Sequence, residues 1–136
     1  MAVNRVSLWE SKLFDLISQA ENDKFEWGVC DCLHFAARTN TAISGVDHVE
    51  KLALPEYSTR TQAIKILAEH YNGDLLFMID QILDRSNGKL PRGCIVATMT
   101  EDGPALGIWV SPVAKFMSED GLIDVRRKDL LCAWEC

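Results

Sequence analysis

Phe25-Glu26-Trp27-Gly28-Val29-Cys30-Asp31-Cys32-Leu33-His34-Phe35-Ala36-Ala37 is the stretch on which the fold turns. A short aromatic approach ends in a glycine, and Asp31 then stands where a helix can begin. An aspartate there accepts an otherwise orphan amide of the first turn. Leu33, Phe35, Ala36 and Ala37 predict a helix over 32–43, packed against other elements and closed by Gly45. Upstream, Ser7-Leu8-Trp9-Glu10 has the form of a capping box. Trp9, Leu13, Leu16, Ile17 and Ala20 follow at helical spacing and predict an amphipathic helix over 8–21. Downstream, residues 44–58 read as irregular and include Pro55. Thr59-Arg60-Thr61-Gln62 is a second capping box. Its helix carries an apolar face of Ala63, Ile64, Leu67, Ala68 and Tyr71, and stops at Gly73. Leu75, Leu76, Ile79, Ile82 and Leu83 predict one more short helix, ended by Ser86-Asn87-Gly88.

From Pro91 the pattern changes. Residues 94–98, 105–110, 113–117, 122–125 and 132–136 read as strands, separated by turn signals such as Glu101-Asp102-Gly103-Pro104 and Ser118-Glu119-Asp120-Gly121. Strands this close, with no helices between them, form an antiparallel sheet. Helices first and strands after give an α+β fold. The expected layout is one domain over 1–136, with a helical half (1–90) packed on a stranded half (91–136).

Composition narrows the function. The chain is 48% hydrophobic and 25% charged, ordinary for a folded globular chain, so disorder is not expected. A net charge of -6 argues against nucleic acid and anionic membranes as partners, because phosphate contacts need clustered cations. The one basic run, Arg126-Arg127-Lys128, reads as an exposed turn or helix start. No secretory leader and no apolar run of about 18 residues is visible, so synthesis in a cytoplasm without export is expected. Five cysteines without a leader point to reduced thiols.

Cys32 is the most site-like of these. It falls in the first turn of its helix, where free amides and the helix dipole favour a thiolate. The alternative is a small buried thiol.

The run Trp27-Gly28 to Asp31-Cys32 resembles the start of NlpC-type cysteine peptidases, which are papain-like. In that family an aromatic-glycine segment leads to Asp-Cys, and the cysteine opens a helix. Arg92-Gly93-Cys94-Ile95-Val96 and Ala105-Leu106-Gly107-Ile108-Trp109-Val110 follow in the same order as the family's Gly-Asp segment and its histidine-bearing strand. A closer resemblance is to a small phage and prophage family encoded among tail genes. The likeness covers residues 24–136 in order. It implies a papain-like fold, an ancestral activity on peptidoglycan cross-bridge peptides, and a cleft around Asp31, Trp27, Gly28, Leu106 and Gly107, with Cys32 in the nucleophile position.

The departures bear on activity. Leu106 occupies the histidine position and Cys94 the aspartate position, and no His, Asn or Gln follows Asn87. A thiol hydrolase needs a general base beside its sulfur. His34 lies two residues from Cys32 and points to nearly the opposite side of the helix. His48 and His70 would need an unconventional arrangement to reach the sulfur. The expected function is therefore a catalytically degenerate, structural or ligand-binding domain of a phage tail or baseplate. It would need no cofactor, and it would be made in the bacterial cytoplasm and carried in the virion tail or tail tip. Other tail proteins are the expected partners, with symmetric copies and a peptidoglycan peptide as further possibilities. Two alternatives stand beside it. One is an active thiol peptidase or amidase using Cys32. The other is a small metal-binding tail assembly factor using Cys30, Cys32, Cys132 and Cys136, although Cys-x-Cys is off the usual zinc spacing. Trp27, Trp109 and Trp134 are expected to be core aromatics rather than a ligand platform.

Overall fold

The structure is a computed structural model and describes residues 3–136. Five helices come first: α1 (Trp9–Ala20), α2 (Cys32–Ser44), α3 (His48–Leu52), α4 (Arg60–His70) and α5 (Leu75–Asp80). Five strands follow: β1 (Ile95–Thr100), β2 (Gly103–Trp109), β3 (Val113–Ser118), β4 (Gly121–Arg126) and β5 (Leu130–Ala133), with a 3-10 turn at Arg127–Asp129. They form one antiparallel sheet in the order β4-β3-β2-β1-β5. The fold is α+β, with helices at the N-terminal side and the sheet at the C-terminal side.

α2 sits at the centre. Asp31 caps it by accepting the His34 amide at 2.8 Å, and Gly45 ends it at φ 78, in the left-handed region that glycine enters without penalty. The residues expected to be apolar are buried, together with Thr39 and Asn40. α1 packs on one side of α2 through Leu13, Ile17 and Ala20, a helical i, i+4, i+7 stripe. The sheet packs on the other side, chiefly through β2. Trp109 and Trp134 are core residues, and Ile108 is buried beside Trp109.

Several local expectations give way to tertiary contacts. α1 has no capping box. Leu8 itself takes the cap position at φ 58 with no side-chain cap bond, and Glu10 instead reaches Arg92 at 3.3 Å. The 44–58 segment is not wholly irregular, because Asp47 caps α3 by accepting the Glu50 amide. At the second capping box Thr59 accepts the Gln62 amide, but the Gln62 side chain accepts from Ser58 rather than from the cap. α5 ends at Asp80, short of the expected turn.

α3 is held by a buried relay. The Asn40 amide donates to the Gly93 carbonyl at 2.9 Å, so its oxygen is the acceptor for His48 Nε2 at 2.6 Å. His48 Nδ1 is then bare, buried and unpaired. Burial, with Lys51 adding to it and Asp47 opposing, holds the His48 pKa below its ordinary value of 6.5. The unfolded chain therefore binds the proton more readily than the folded one. Stability should be fully present above the ordinary histidine range and fall as pH drops through about 6.5 towards the lower folded value. A urea midpoint series over this range should show the fall, and His48→Gln should flatten it. An unchanged slope in that variant would assign the dependence elsewhere.

Candidate functional site

The segment before α2 folds around the Asp31 carboxylate. Asp31 is only 2% exposed and accepts four hydrogen bonds. The Gly28 amide donates at 3.0 Å and the His34 amide at 2.8 Å. His34 Nδ1 donates at 2.8 Å and the Tyr57 hydroxyl at 2.5 Å. A carboxylate can only accept, so the proton on His34 is fixed at Nδ1 by this contact. Burial alone would push the Asp31 pKa up. The hydrogen bonds from His34, Tyr57 and Gly28 outweigh it and hold the carboxyl below its ordinary value. Tyr57 answers in the opposite direction: burial first, then the adjacent Asp31 charge, keep its hydroxyl protonated.

Gly28 is the other half of the clasp. It sits at φ +78, and a Cβ there would lie 1.9 Å from the Tyr57 carbonyl oxygen. The backbone of residue 57 thus rests directly on Gly28 while its side chain reaches Asp31. Phe25 and Trp27 meet edge to face, with ring centroids 4.9 Å apart. Trp27 is half-buried at a cleft rather than in the core.

Cys32 follows Asp31 at the start of α2 and lines the same cleft. Its thiol is not activated. Burial pushes it up to about 11, and the Asp31 charge adds to the rise, against backbone amides of Leu106, Leu33 and Cys32 itself. At neutral pH roughly one thiol in ten thousand would be ionised at that value. The expectation that the helix start favours a thiolate is therefore reversed here, because desolvation and a neighbouring carboxylate exceed the dipole. The other four cysteines are also pushed up by burial. All five are free.

Leu106 lies beside Cys32. β3 pairs with β2 only at Ile108 and Trp109, so the sheet opens beyond Gly107. The Leu106 side chain is fully buried, and its backbone lies near enough to Cys32 to oppose the rise of the thiol pKa. Gly107 marks the point of separation. A Cβ there would lie 2.4 Å from the Lys115 carbonyl and 2.7 Å from the Phe116 ring. It packs closely between strands and is not among the residues that line the cleft described below.

The cleft, about 400 Å³, lies where the sheet opens. Cys32, Asp31 and Tyr57 line one end. α4 covers it with Ala63, Ile64 and Leu67, and the β3–β4 hairpin borders it with Phe116 and Ile123. None of the α4 residues is buried, and Ile64 is 50% exposed; of its apolar face, Ala63, Ile64 and Leu67 line the cleft. No histidine lines it among the described residues. His34 is bonded to Asp31, His48 to Asn40, and His70 is exposed at the end of α4. Among the described residues no three His, Cys, Asp or Glu side chains converge as metal ligands, so Cys30, Cys32, Cys132 and Cys136 do not form the ligand set considered above. Tyr57, which completes the Asp31 site, carries no local sequence signal for that role.

No curated protein matches the chain. The family model described as Domain of unknown function (DUF6950) matches residues 4–136, nearly the whole length, and the chain belongs to that family.

Proposed function

We propose that this chain is a papain-like, NlpC-related domain of a phage tail or baseplate whose cleft binds rather than cuts. The observation that carries the non-hydrolytic part is the state of Cys32. It lines an apolar cleft, its thiol is pushed up to about 11, and no imidazole among the described residues lines the cleft with it. A thiol nucleophile needs a base within hydrogen-bond reach, and a binding domain needs only the cleft. Support for a papain-like ancestry comes from Asp31–Cys32 opening a helix that packs on an antiparallel sheet, in the order the resemblance implies. The tail assignment rests on the resemblance alone.

Incubation of the purified protein with cell-wall fragments should release no new amino termini. Turnover that vanishes in Cys32→Ser would establish the peptidase reading in its place. Mass spectrometry of purified virions, with cross-linking, should find the chain bound to tail proteins through an interface of ~800 Å² or more per partner. Its absence both from virions and from tail proteins purified during assembly would remove the tail role.

A further inference from the structure

We infer that the cleft receives a large apolar side chain presented on a cationic segment of a partner protein. This rests on the binding reading above and names what the cleft would bind. Its volume, about 400 Å³, falls in the range of small-ligand sites. The walls are apolar on two opposing sides, Ile64 and Leu67 of α4 against Phe116 and Ile123 of the hairpin. A partner strand cannot simply extend β2 where the sheet opens. Pro104, in the stretch of β2 that β3 does not pair, has no amide to donate to such a strand. The occupant is therefore held by side-chain burial rather than by a backbone ladder.

Charge at the mouth selects among apolar occupants. Asp102, Glu119 and Asp120 stand at the rim. Among the described residues the one cation lining it, Arg60, is paired with Asp102 at 3.7 Å. Neither Glu119 nor Asp120 has an ion-pair partner among the described residues. With a net charge of -6, the protein presents a negative field to whatever approaches. That field repels a fatty acid carboxylate or an anionic phospholipid and attracts an apolar group flanked by lysine or arginine.

The test titrates three capped peptides, KKFLKK, EEFLEE and KKSSKK, into the isotope-labelled full chain and follows amide shifts by NMR. KKFLKK should shift residues of α4 and of the β3–β4 hairpin, and bind at least roughly tenfold tighter than either control. Ile64→Ser, a neutral change at a half-exposed position, should weaken KKFLKK by a similar factor. The pair Glu119→Lys and Asp120→Lys should reverse the order of KKFLKK and EEFLEE. Equal binding of those two peptides, or shifts confined to another face, would overturn the inference. Laurate displacing KKFLKK at equal concentration would overturn it in favour of an acyl chain. Cleavage of bound KKFLKK would leave the docking intact and refute the non-hydrolytic reading. Failure to bind would refute the docking and leave that reading standing.

Discussion

Asp31→Ala should destabilise the fold by about 3–5 kcal/mol, as expected when one partner of a buried charged network is removed. Four donors lose their acceptor at once: the Gly28 and His34 amides, His34 Nδ1 and the Tyr57 hydroxyl. α2 also loses its cap, on its own a matter of about 1 kcal/mol. Asp31→Asn keeps one oxygen but places an amide against donors, and should cost less, about 1–3 kcal/mol. Urea unfolding at neutral pH measures both. A loss below about 1 kcal/mol in the alanine variant would mean that water replaces the carboxylate and that the site is more open than its burial indicates. The same group sets an acid limit. Its folded pKa lies below the ordinary 3.8, so its contribution is present above that value and is lost as pH falls through the folded one. Asp31→Asn should remove this portion of the acid dependence and leave the His48 portion at higher pH.

Gly28→Ala is expected to cost about 3 kcal/mol or more, because two penalties combine. A left-handed conformation costs an L-residue about 1–2 kcal/mol. The new methyl would also lie 1.9 Å from the Tyr57 carbonyl, a backbone atom that cannot rotate aside. Gly45→Ala separates the two effects. It has the same φ of +78, yet its Cβ would meet only Val6 Cγ1 at an ordinary 3.5 Å. It should therefore show the conformational penalty alone, about 1–2 kcal/mol. The difference between the variants reports the contact of residue 57 on Gly28. Losses of equal size would show that Tyr57 moves freely and does not clasp the site.

What could be read from the sequence was local. Asp31 as a cap, Gly45 as a stop and the first four strands after Pro91 each depend on residues close in the chain, and the structure has them, whereas the last strand falls at Leu130–Ala133 rather than at 132–136. α3 carried a signal too, since Asp47-His48-Val49-Glu50 has the spacing of a cap, but a five-residue helix is too short to show a period. Ser7 misled because Leu8 takes the left-handed cap position itself. Tyr57 was invisible for a different reason: its bond to Asp31 spans 26 residues and follows only from how the chain returns over Gly28. The sequence left Cys32 between an activated thiolate and a buried thiol on the same ground. The helix dipole is a property of sequence position, whereas desolvation and the Asp31 charge at the sulfur are properties of packing. α4 shows the limit of periodicity, which gave its apolar face but not whether a core or a cleft lies opposite.

The two-residue seam between β2 and β3 gives the sheet two mechanical grades. β1 is laddered along its length to β2 and joined to β5, and β3 is laddered along its length to β4. Between these blocks the ladder covers Ile108 and Trp109, with the Val110 and Ser111 amides donating to the Val113 carbonyl at the turn. Opening at that seam would detach the hairpin as a cooperative unit while β1, β2 and β5 keep their amides protected, so the sheet divides into a slow-exchanging block and a faster one, with the cleft lying on the boundary.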